Sequence, residues 1–234
     1  MLEVRNLDVG YYKDLNILSG LNLDVKPGQI ATILGANGVG KSTSLKAIYG
    51  FLRPNGGTIR LDGHDLMDVP THKRILKGLA YIPQHPGIFR DMSVEDNLLL
   101  GAWTFRRDTT RIRDRLEANY DRFPILRDKR RQNTGELSGG QQRMVEIGRT
   151  LMGNPKVLLV DEPTAGLSKI LAEEVYQMLR DLRDRDNLGI LLVDQEIRHA
   201  LRIADYVYVL ELGRNKFEGP PSEFGDLQKA FWVA

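Results

Sequence analysis

The chain has 234 residues, of which 41% are hydrophobic and 27% charged, so it can bury a substantial core beneath a polar surface. Lysine and arginine number 33 against 31 aspartates and glutamates, whereas a domain that binds nucleic acid in bulk is expected to be clearly basic. Cysteine is absent, which excludes disulfide frameworks and thiolate metal sites, and no window approaches the roughly 18 apolar residues of a membrane-spanning helix.

Two predicted strands open the chain. Leu2–Val9 and Leu21–Val25 alternate apolar and polar residues, and the second runs into a Lys-Pro-Gly turn. The loop between them carries two adjacent aromatic residues, Tyr11 and Tyr12. Their rings could stack on a flat ligand or pack against the sheet edge, and the residues alone leave both open. The N-terminus lacks the apolar core of a signal peptide.

A glycine-rich loop follows the next predicted strand. Ile30–Leu34 is a continuous apolar run, and a helix-compatible segment begins at Thr43. Between them lies the pattern G-x-x-x-x-G-K-[ST], formed by Gly35, Ala36, Asn37, Gly38, Val39, Gly40, Lys41 and Ser42. Glycines let successive backbone N–H groups turn inward, and the helix N-terminus adds a partial positive charge. With the Lys41 amine for outer phosphates and the Ser42 hydroxyl for Mg²⁺, the loop predicts a nucleotide-binding site.

The middle of the chain predicts a hairpin, a short strand and then a change to helices. Thr58–Leu61 precedes an Asp-Gly turn, and the next short strand ends in Gln84. A helix start is predicted at Ser93, and the arginine-rich segment Arg106–Arg131 carries apolar residues at helical intervals. Acidic residues interleave with these arginines, which favours a solvated helix face over a nucleic-acid or lipid surface. We therefore predict a mostly helical insert over residues 86–150.

From residue 155 the chain alternates strands and helices. The predicted strands are Val157–Val160, Ile190–Val193 and Tyr206–Leu210, and the predicted helices are Ile170–Arg185 and Ile197–Ala204. Strands that alternate with helices imply a mostly parallel sheet covered on both faces.

Two carboxylates follow the first of these strands. Asp161 and Glu162 would lie at the carboxyl edge of the sheet, where open α/β folds bind ligands. Asp161 can hold Mg²⁺ directly or through water, because hard cations take oxygen ligands. Glu162 can orient and deprotonate an attacking water.

A second anion-binding helix start is predicted at Leu137, Ser138, Gly139, Gly140 and Gln141. Small residues and paired glycines at a helix N-terminus favour exposed backbone N–H groups. A single nucleotide does not readily need both this segment and the Lys41 loop from one chain, because the two are far apart in sequence and fall in different predicted subdomains. Two copies packed head to tail would clasp each ATP between the Lys41 loop of one and the Ser138 segment of the other.

These motifs together resemble the ATP-binding cassette (ABC) ATPases, over about Leu2 to Gly219. The matching segments are Gly35–Ser42 for the Walker A loop, Gln84 for the Q-loop, Leu137–Gln142 for the family signature and Val157–Glu162 for Walker B. Tyr11 falls where the family's adenine-stacking aromatic lies, and Thr43 follows the Walker A serine.

The resemblance implies ATP and Mg²⁺ as cofactors. The metal would be held by Ser42, Gln84 and Asp161, and catalysis would rest on Lys41, Glu162 and Gln195. The implied fold is α/β, a P-loop NTPase core with a mostly parallel sheet, an N-terminal antiparallel β subdomain and a helical insert subdomain. Residues 1–85 and 151–234 would form the core with its β subdomain, and residues 86–150 the helical subdomain that carries the signature, all within one ABC ATPase domain.

Two positions depart from the commonest family pattern. The loop after Walker B usually ends in aspartate, but here Ser168 stands at that position. The family's switch residue, which follows the next strand and is usually histidine, is here Gln195. Glutamine cannot carry a proton near neutral pH, so Glu162 must act as the base. Gln195, the loop Pro163–Leu167 and the ending Leu210–Gly213 resemble the ATPases of branched-chain amino acid importers and of the related urea and short-chain amide importers.

This resemblance implies an ATP-hydrolysing subunit that dimerises around two Mg·ATP, with an identical or a paralogous partner. It would drive a separate integral-membrane permease, serve a solute-binding protein indirectly, and bind no nucleic acid. Its expected location is cytoplasmic, on the inner face of the membrane through the permease. The ATPase motor of a lipid or polysaccharide exporter would use the same core and differ only in its partner. The aromatic C-terminal segment, Lys229–Ala234, could dock on a neighbour or on the chain's own core.

Overall fold

The computed structural model describes residues 1–12 and 15–224, and the C-terminal aromatic segment lies outside them. The strands are β1 (Leu2–Tyr12), β2 (Leu15–Val25), β3 (Ile30–Gly35), β4 (Gly56–Leu61), β5 (His64–Asp65), β6 (Leu79–Ile82), β7 (Val157–Asp161), β8 (Gly189–Val193), β9 (Tyr206–Glu211) and β10 (Arg214–Gly219). The α-helices are α1 (Lys41–Tyr49), α2 (Thr71–Arg74), α3 (Val94–Leu100), α4 (Thr109–Arg122), α5 (Pro124–Asp128), α6 (Gly139–Leu151), α7 (Lys169–Asp186) and α8 (Ile197–Ile203). Within these ranges, every helix is too short or too polar to cross a bilayer.

The larger sheet has six strands in the order β10-β9-β3-β8-β7-β6. Its strands run parallel except for β10, which pairs antiparallel with β9. The prediction of a mostly parallel sheet is therefore confirmed, while the edge strand β10 was not predicted. Because β3, β7 and β8 are parallel neighbours, the loops that begin after Gly35, Asp161 and Val193 all leave the same edge of the sheet.

Side chains of this sheet alternate between two buried clusters, as a pleated strand requires. Ile30, Leu158 and Ile190 belong to the cluster shared with α6, α7 and α8. Ala31 and Leu191 belong to the cluster shared with β1, β2 and α1. Both faces of the sheet are covered, and this confirms the α/β fold class.

The N-terminal sheet is antiparallel, in the order β2-β1-β4-β5. Strands β4 and β5 form the hairpin predicted around the Asp-Gly turn. The backbone N–H of Asn22 donates to the Asn215 side chain at 2.9 Å, and the Asn215 amide donates back to the Asn22 carbonyl at 2.7 Å. These bonds fasten the edge strand β10 of the larger sheet to β2.

The arginine-rich segment of the insert forms two helices, α4 and α5. The break falls at Phe123, because Pro124 lacks an N–H and disfavours helical angles in the residue before it. Arg127 pairs with Glu117 at 2.7 Å on an exposed face, as the interleaved charges predict. The subdomain boundaries at residues 86 and 150 stay a prediction.

Candidate functional site

The glycine-rich loop joins β3 to α1. Gly35 and Gly40 adopt φ angles of 153° and 108°, which side chains disfavour. A Cβ at Gly35 would lie 2.7 Å from the Leu210 carbonyl oxygen, and one at Gly40 would lie 2.6 Å from a Leu18 methyl group. Backbone angle and close packing therefore both require glycine at these two positions, which explains the spacing of the motif.

Lys41 lies at the first position of α1, and its side chain folds back over this loop. Its amine donates to the Gly35 carbonyl at 2.8 Å and to the Ala36 carbonyl at 3.0 Å. Only 7% of the residue is exposed, and this burial lowers the pKa of the amine, while the nearby carboxylates of Glu162 and Asp161 oppose the shift. A cation is thus held at the loop where outer phosphates would lie.

Asp161 ends β7 and meets the start of α1. The Ser42 hydroxyl donates to Asp161 Oδ1 at 2.7 Å, and the Tyr81 hydroxyl donates to Asp161 Oδ2 at 2.9 Å. Over the described residues there is no group of three or more His, Cys, Asp or Glu side chains that could hold a metal. Mg²⁺ commonly uses one or two protein oxygens and completes its shell with water and substrate phosphates. The hydroxyl and carboxylate of Ser42 and Asp161 fit that chemistry.

Glu162, the next residue, has a left-handed φ of 44°, which is uncommon outside glycine. Its N–H donates to the Val193 carbonyl at 2.7 Å, so the strained turn is tied to the end of β8. Its carboxylate accepts hydrogen bonds from the Gln84 amide at 2.6 Å and from the Gln195 amide at 2.8 Å. Two glutamines from two separate loops therefore converge on the Glu162 carboxylate, beside a cavity of about 310 Å³.

Asp194, the residue before Gln195, is buried and supports this arrangement. It accepts hydrogen bonds from the Tyr176 hydroxyl at 2.9 Å, the Thr164 hydroxyl at 3.2 Å and the backbone N–H of Glu196 at 3.0 Å. Burial raises the pKa of Asp194, and these hydrogen bonds oppose the shift. The network connects the loops after β7 and β8 and so fixes the backbone that carries Gln195.

The predicted signature segment begins α6. The Ser138 side chain accepts from the Gln141 N–H, and the Gln141 side chain accepts from the Ser138 N–H, both at 3.3 Å, which forms a capping box. Ser138 itself is exposed. In the described part of the chain, this segment makes no hydrogen bond with the Lys41 loop of the same copy.

Charged residues on α6 form hydrogen bonds with the loop that contains Gln84. Arg143 and Glu146 are each 1% exposed and form a buried ion pair. Arg143 also donates to the Gln84 carbonyl at 2.8 Å, and Glu146 accepts from the Gly87 N–H at 2.7 Å. Arg149 donates to the Gly87 carbonyl at 2.6 Å. The helix that starts at Ser138 is therefore bonded directly to the loop that orients Gln84.

Several of these residues were missed by reasoning from the sequence, namely Tyr81, Arg143, Glu146 and Asp194. Two opposite charges three residues apart in α6 offer the one sequence signal for the ion pair. Tyr81 has no such signal, because a tyrosine in a strand is ordinary. Ser168 has a local explanation, since its side chain caps α7 by accepting from the Leu171 N–H at 3.4 Å. The Tyr11 side chain lies outside the described residues.

Comparisons with known proteins agree with this geometry. The family profile described as ABC transporter matches residues 18–165. A probable branched-chain amino acid transport ATP-binding protein, LivF of Archaeoglobus fulgidus, is 39% identical over 229 residues, which are 98% of this chain and 96% of the relative. The lipopolysaccharide export system ATP-binding protein LptB of Haemophilus influenzae is 35% identical over 226 residues, 95% of this chain and 92% of the relative.

A solved structure leads to the same family. The ADP conformation of MJ1267, described as an ATP-binding cassette of an ABC transporter, superposes with a TM-score of 0.85 at 28% identity. The alignment covers 98% of this chain and 94% of that one. The chain is thus similar to ATP-binding cassettes over nearly its whole length.

Proposed function

The chain belongs to the ABC transporter family and is an ATPase, and from this membership we propose that it powers import of branched-chain amino acids or related small amides. It would do so by binding two Mg·ATP between two copies and driving a separate permease. Mg²⁺ is the expected metal, and its charge would offset that of the phosphates at Ser42 and Asp161.

The residues of this chain divide the work of hydrolysis. Lys41 places a positive charge at the outer phosphates, and the helix N-terminus and loop N–H groups add further donors. Glu162 is the base that accepts a proton from the attacking water. Gln195 and Gln84 each donate to the Glu162 carboxylate and orient it. A metal would bind the side-chain oxygen of Gln84, and the observed hydrogen bond uses its amide nitrogen, which donates to Glu162. The metal role of Gln84 therefore stays a proposal.

The Ser138 segment completes the site of the partner copy. Its helix start is exposed at Ser138 and, among the described residues, makes no hydrogen bond with the Lys41 loop of the same chain, so we assign it to the triphosphate held by another chain. The hydrogen bonds from α6 to the Gln84 loop would couple triphosphate binding at the Ser138 segment to the position of Glu162 in the same chain.

A groove beside the Gln84 loop, lined by both apolar and polar residues, is the proposed docking site for the permease. It measures about 460 Å³ and is lined in part by Tyr81, Phe89, Leu100 and Trp103. Phe89 and Trp103 are 55% and 63% exposed, and large exposed apolar side chains gathered at one groove mark an interaction surface. The occupant we expect is an apolar segment of the permease that protrudes from the membrane, since ATPases of this family power membrane transport.

The observation that carries the importer proposal is Gln195, and the 39% identity with LivF supports it. The amide of Gln195 donates to Glu162, and the glutamine at this position resembles the branched-chain amino acid importer ATPases. The 35% identity with LptB favours a second candidate, the motor of an exporter for lipid or polysaccharide. Both use the same ATPase chemistry, so the partner decides between them.

Reconstitution with the permease encoded beside this chain tests the proposal. With its binding protein and ATP present, vesicles should accumulate labelled leucine or a short-chain amide, and the chain carrying Trp103→Asp should neither join the permease nor support uptake. Extrusion of a lipid or saccharide instead would replace the importer with the exporter. Permease binding that Trp103→Asp leaves intact, with its thermal unfolding unchanged, would contradict the docking groove.

A further inference from the structure

Tyr81 lies between the metal-binding carboxylate and the groove. It belongs to β6, which pairs in parallel with β7, so that Tyr81 is opposite Leu159, two residues before Asp161. Its hydroxyl reaches the Asp161 carboxylate, and its ring is half-buried at the groove. One side chain therefore touches both features, while Gln84 reaches Glu162 by a different route.

The Tyr81 hydroxyl restrains the orientation of Asp161. Asp161 Oδ2 accepts from Tyr81 at 2.9 Å while Oδ1 accepts from Ser42 at 2.7 Å. With each oxygen held by one hydroxyl, rotation of the carboxylate would break both hydrogen bonds. A partner of this kind orients a metal ligand without touching the metal.

The ring of Tyr81 is itself fixed by an aromatic cluster. It stacks on Tyr49 with the ring centroids 5.5 Å apart, and Phe51 meets it edge-on at 5.3 Å. Phe51 is 54% exposed, so the outer side of the cluster is open to a docked partner. The same ring therefore contacts the aromatic cluster on one side and, through its hydroxyl, Asp161 on the other.

We propose that Tyr81 is a positioning residue that aligns Asp161 for Mg²⁺ binding and ties that alignment to occupancy of the groove. The inference rests on the proposed Mg·ATP site and adds a second connection between permease and nucleotide, separate from the one through Gln84.

The test uses Tyr81→Phe, which keeps the ring and removes only the hydroxyl. A fluorescent, non-hydrolysable ATP analogue is bound to the isolated chain and titrated with Mg²⁺, and a parallel titration of nucleotide is made in EDTA. We expect the Mg²⁺ concentration at half-saturation to rise about tenfold, with nucleotide affinity in EDTA unchanged. Tyr49→Phe is the matched control, because across the described residues its hydroxyl makes no bond to Asp161, and it should leave the Mg²⁺ midpoint unchanged.

A double variant separates positioning from a general effect on the fold. Asp161→Asn raises the Mg²⁺ midpoint by itself, and adding Tyr81→Phe should shift it no further if Tyr81 acts through that carboxylate. An unchanged midpoint in Tyr81→Phe, an equal shift in Tyr49→Phe, or a further shift in the Asp161→Asn background would each overturn the positioning role.

Occupancy of the groove is tested with the reconstituted permease. Permease binding should change the Mg²⁺ midpoint of the wild-type chain and leave that of Tyr81→Phe where it was. An equal change in the Mg²⁺ midpoint of the wild-type chain and of Tyr81→Phe would overturn the proposed coupling between Tyr81 and the groove. Failure of any complex to form would count against the proposed permease partner and leave the result on the isolated chain intact.

Discussion

Glu162 combines a strained backbone with a carboxylate whose Oε2 accepts two hydrogen bonds. A left-handed φ at a residue other than glycine costs free energy, and it persists here because the N–H of Glu162 is bonded to the end of β8. The two glutamine amides then fix the direction of the carboxylate. The strain and the two hydrogen bonds together fix the direction of one side chain, as the general-base role proposed for Glu162 requires.

Glu162→Gln should slow ATP turnover by about 10²–10⁴-fold, because the amide keeps the shape of the side chain but cannot accept a proton. ATP binding should persist, and an ATP-bound dimer should accumulate in size-exclusion chromatography. Glu196→Gln is the control, since its carboxylate lines the same cavity but, within the described residues, makes no hydrogen bond. Turnover near the wild-type rate in Glu162→Gln would remove this residue from the base role.

At the scale of elements, α6 combines an exposed N-terminus with a buried ion pair. Its N-terminus presents Ser138, and its second turn carries the buried Arg143–Glu146 pair that holds the loop from Gln84 to Gly87. A buried ion pair contributes little net stability compared with apolar residues, but losing one partner leaves an uncompensated charge. Such a pair is suited to holding a polar loop in one position.

Arg143→Met should lower the free energy of unfolding by about 3–5 kcal/mol at pH 7, because it leaves Glu146 buried without its counter-ion. Burial already raises the pKa of Glu146, and Arg143 opposes the shift, so the variant's Glu146 should have a still higher pKa. The folded state then binds the proton more tightly than the unfolded state, whose carboxyl has a pKa of about 4.3. Stability should therefore be recovered as the pH falls from 7 towards 5.

Urea unfolding at pH 7 and pH 5 measures this recovery. The double variant Arg143→Met with Glu146→Leu is the control, since it removes both charges and should lose its pH dependence over that interval. A loss for Arg143→Met that is the same at both pH values would show that the Glu146 charge is not its cause.

At the scale of the whole molecule, one chain contains two helix starts that we propose bind anions. The Lys41 loop leaves the carboxyl edge of the parallel sheet. Ser138 is the N-cap of α6 and forms a capping box with Gln141. A two-fold dimer would make each site from both chains.

Mixing two inactive variants tests this arrangement. Lys41→Ala should abolish tight nucleotide binding, and Ser138→Arg should block the signature helix start, so each should be inactive alone. An equal mixture forms hybrids with one intact site, and activity should return to about a quarter of the wild-type value if the sites of a two-fold dimer act independently. Differently tagged copies establish that hybrids form, and hybrids without recovered ATPase activity would argue against the head-to-tail site.

Patterns confined to one stretch of chain were enough to predict much of this protein. The spacing of Gly35, Gly40 and Lys41 defined the loop, because backbone angles and charge at a helix start are local properties. The apolar strands and the alternation of strands with helices gave the fold class, since each periodicity lies within a single element. The position of Asp161 and Glu162 at a strand end followed from the same reasoning.

Contacts between distant segments were decided only by the tertiary structure. Ser42 and Asp161 are 119 residues apart, and whether their side chains meet depends on the order in which β3, β8 and β7 pair. Tyr81 is recognisable as a partner of Asp161 only once β6 is placed beside β7. The grip of Arg143 on the Gln84 loop likewise requires α6 to pack against that loop. Periodicity reports which face of an element is buried, and the packing of elements decides which side chains that face will meet.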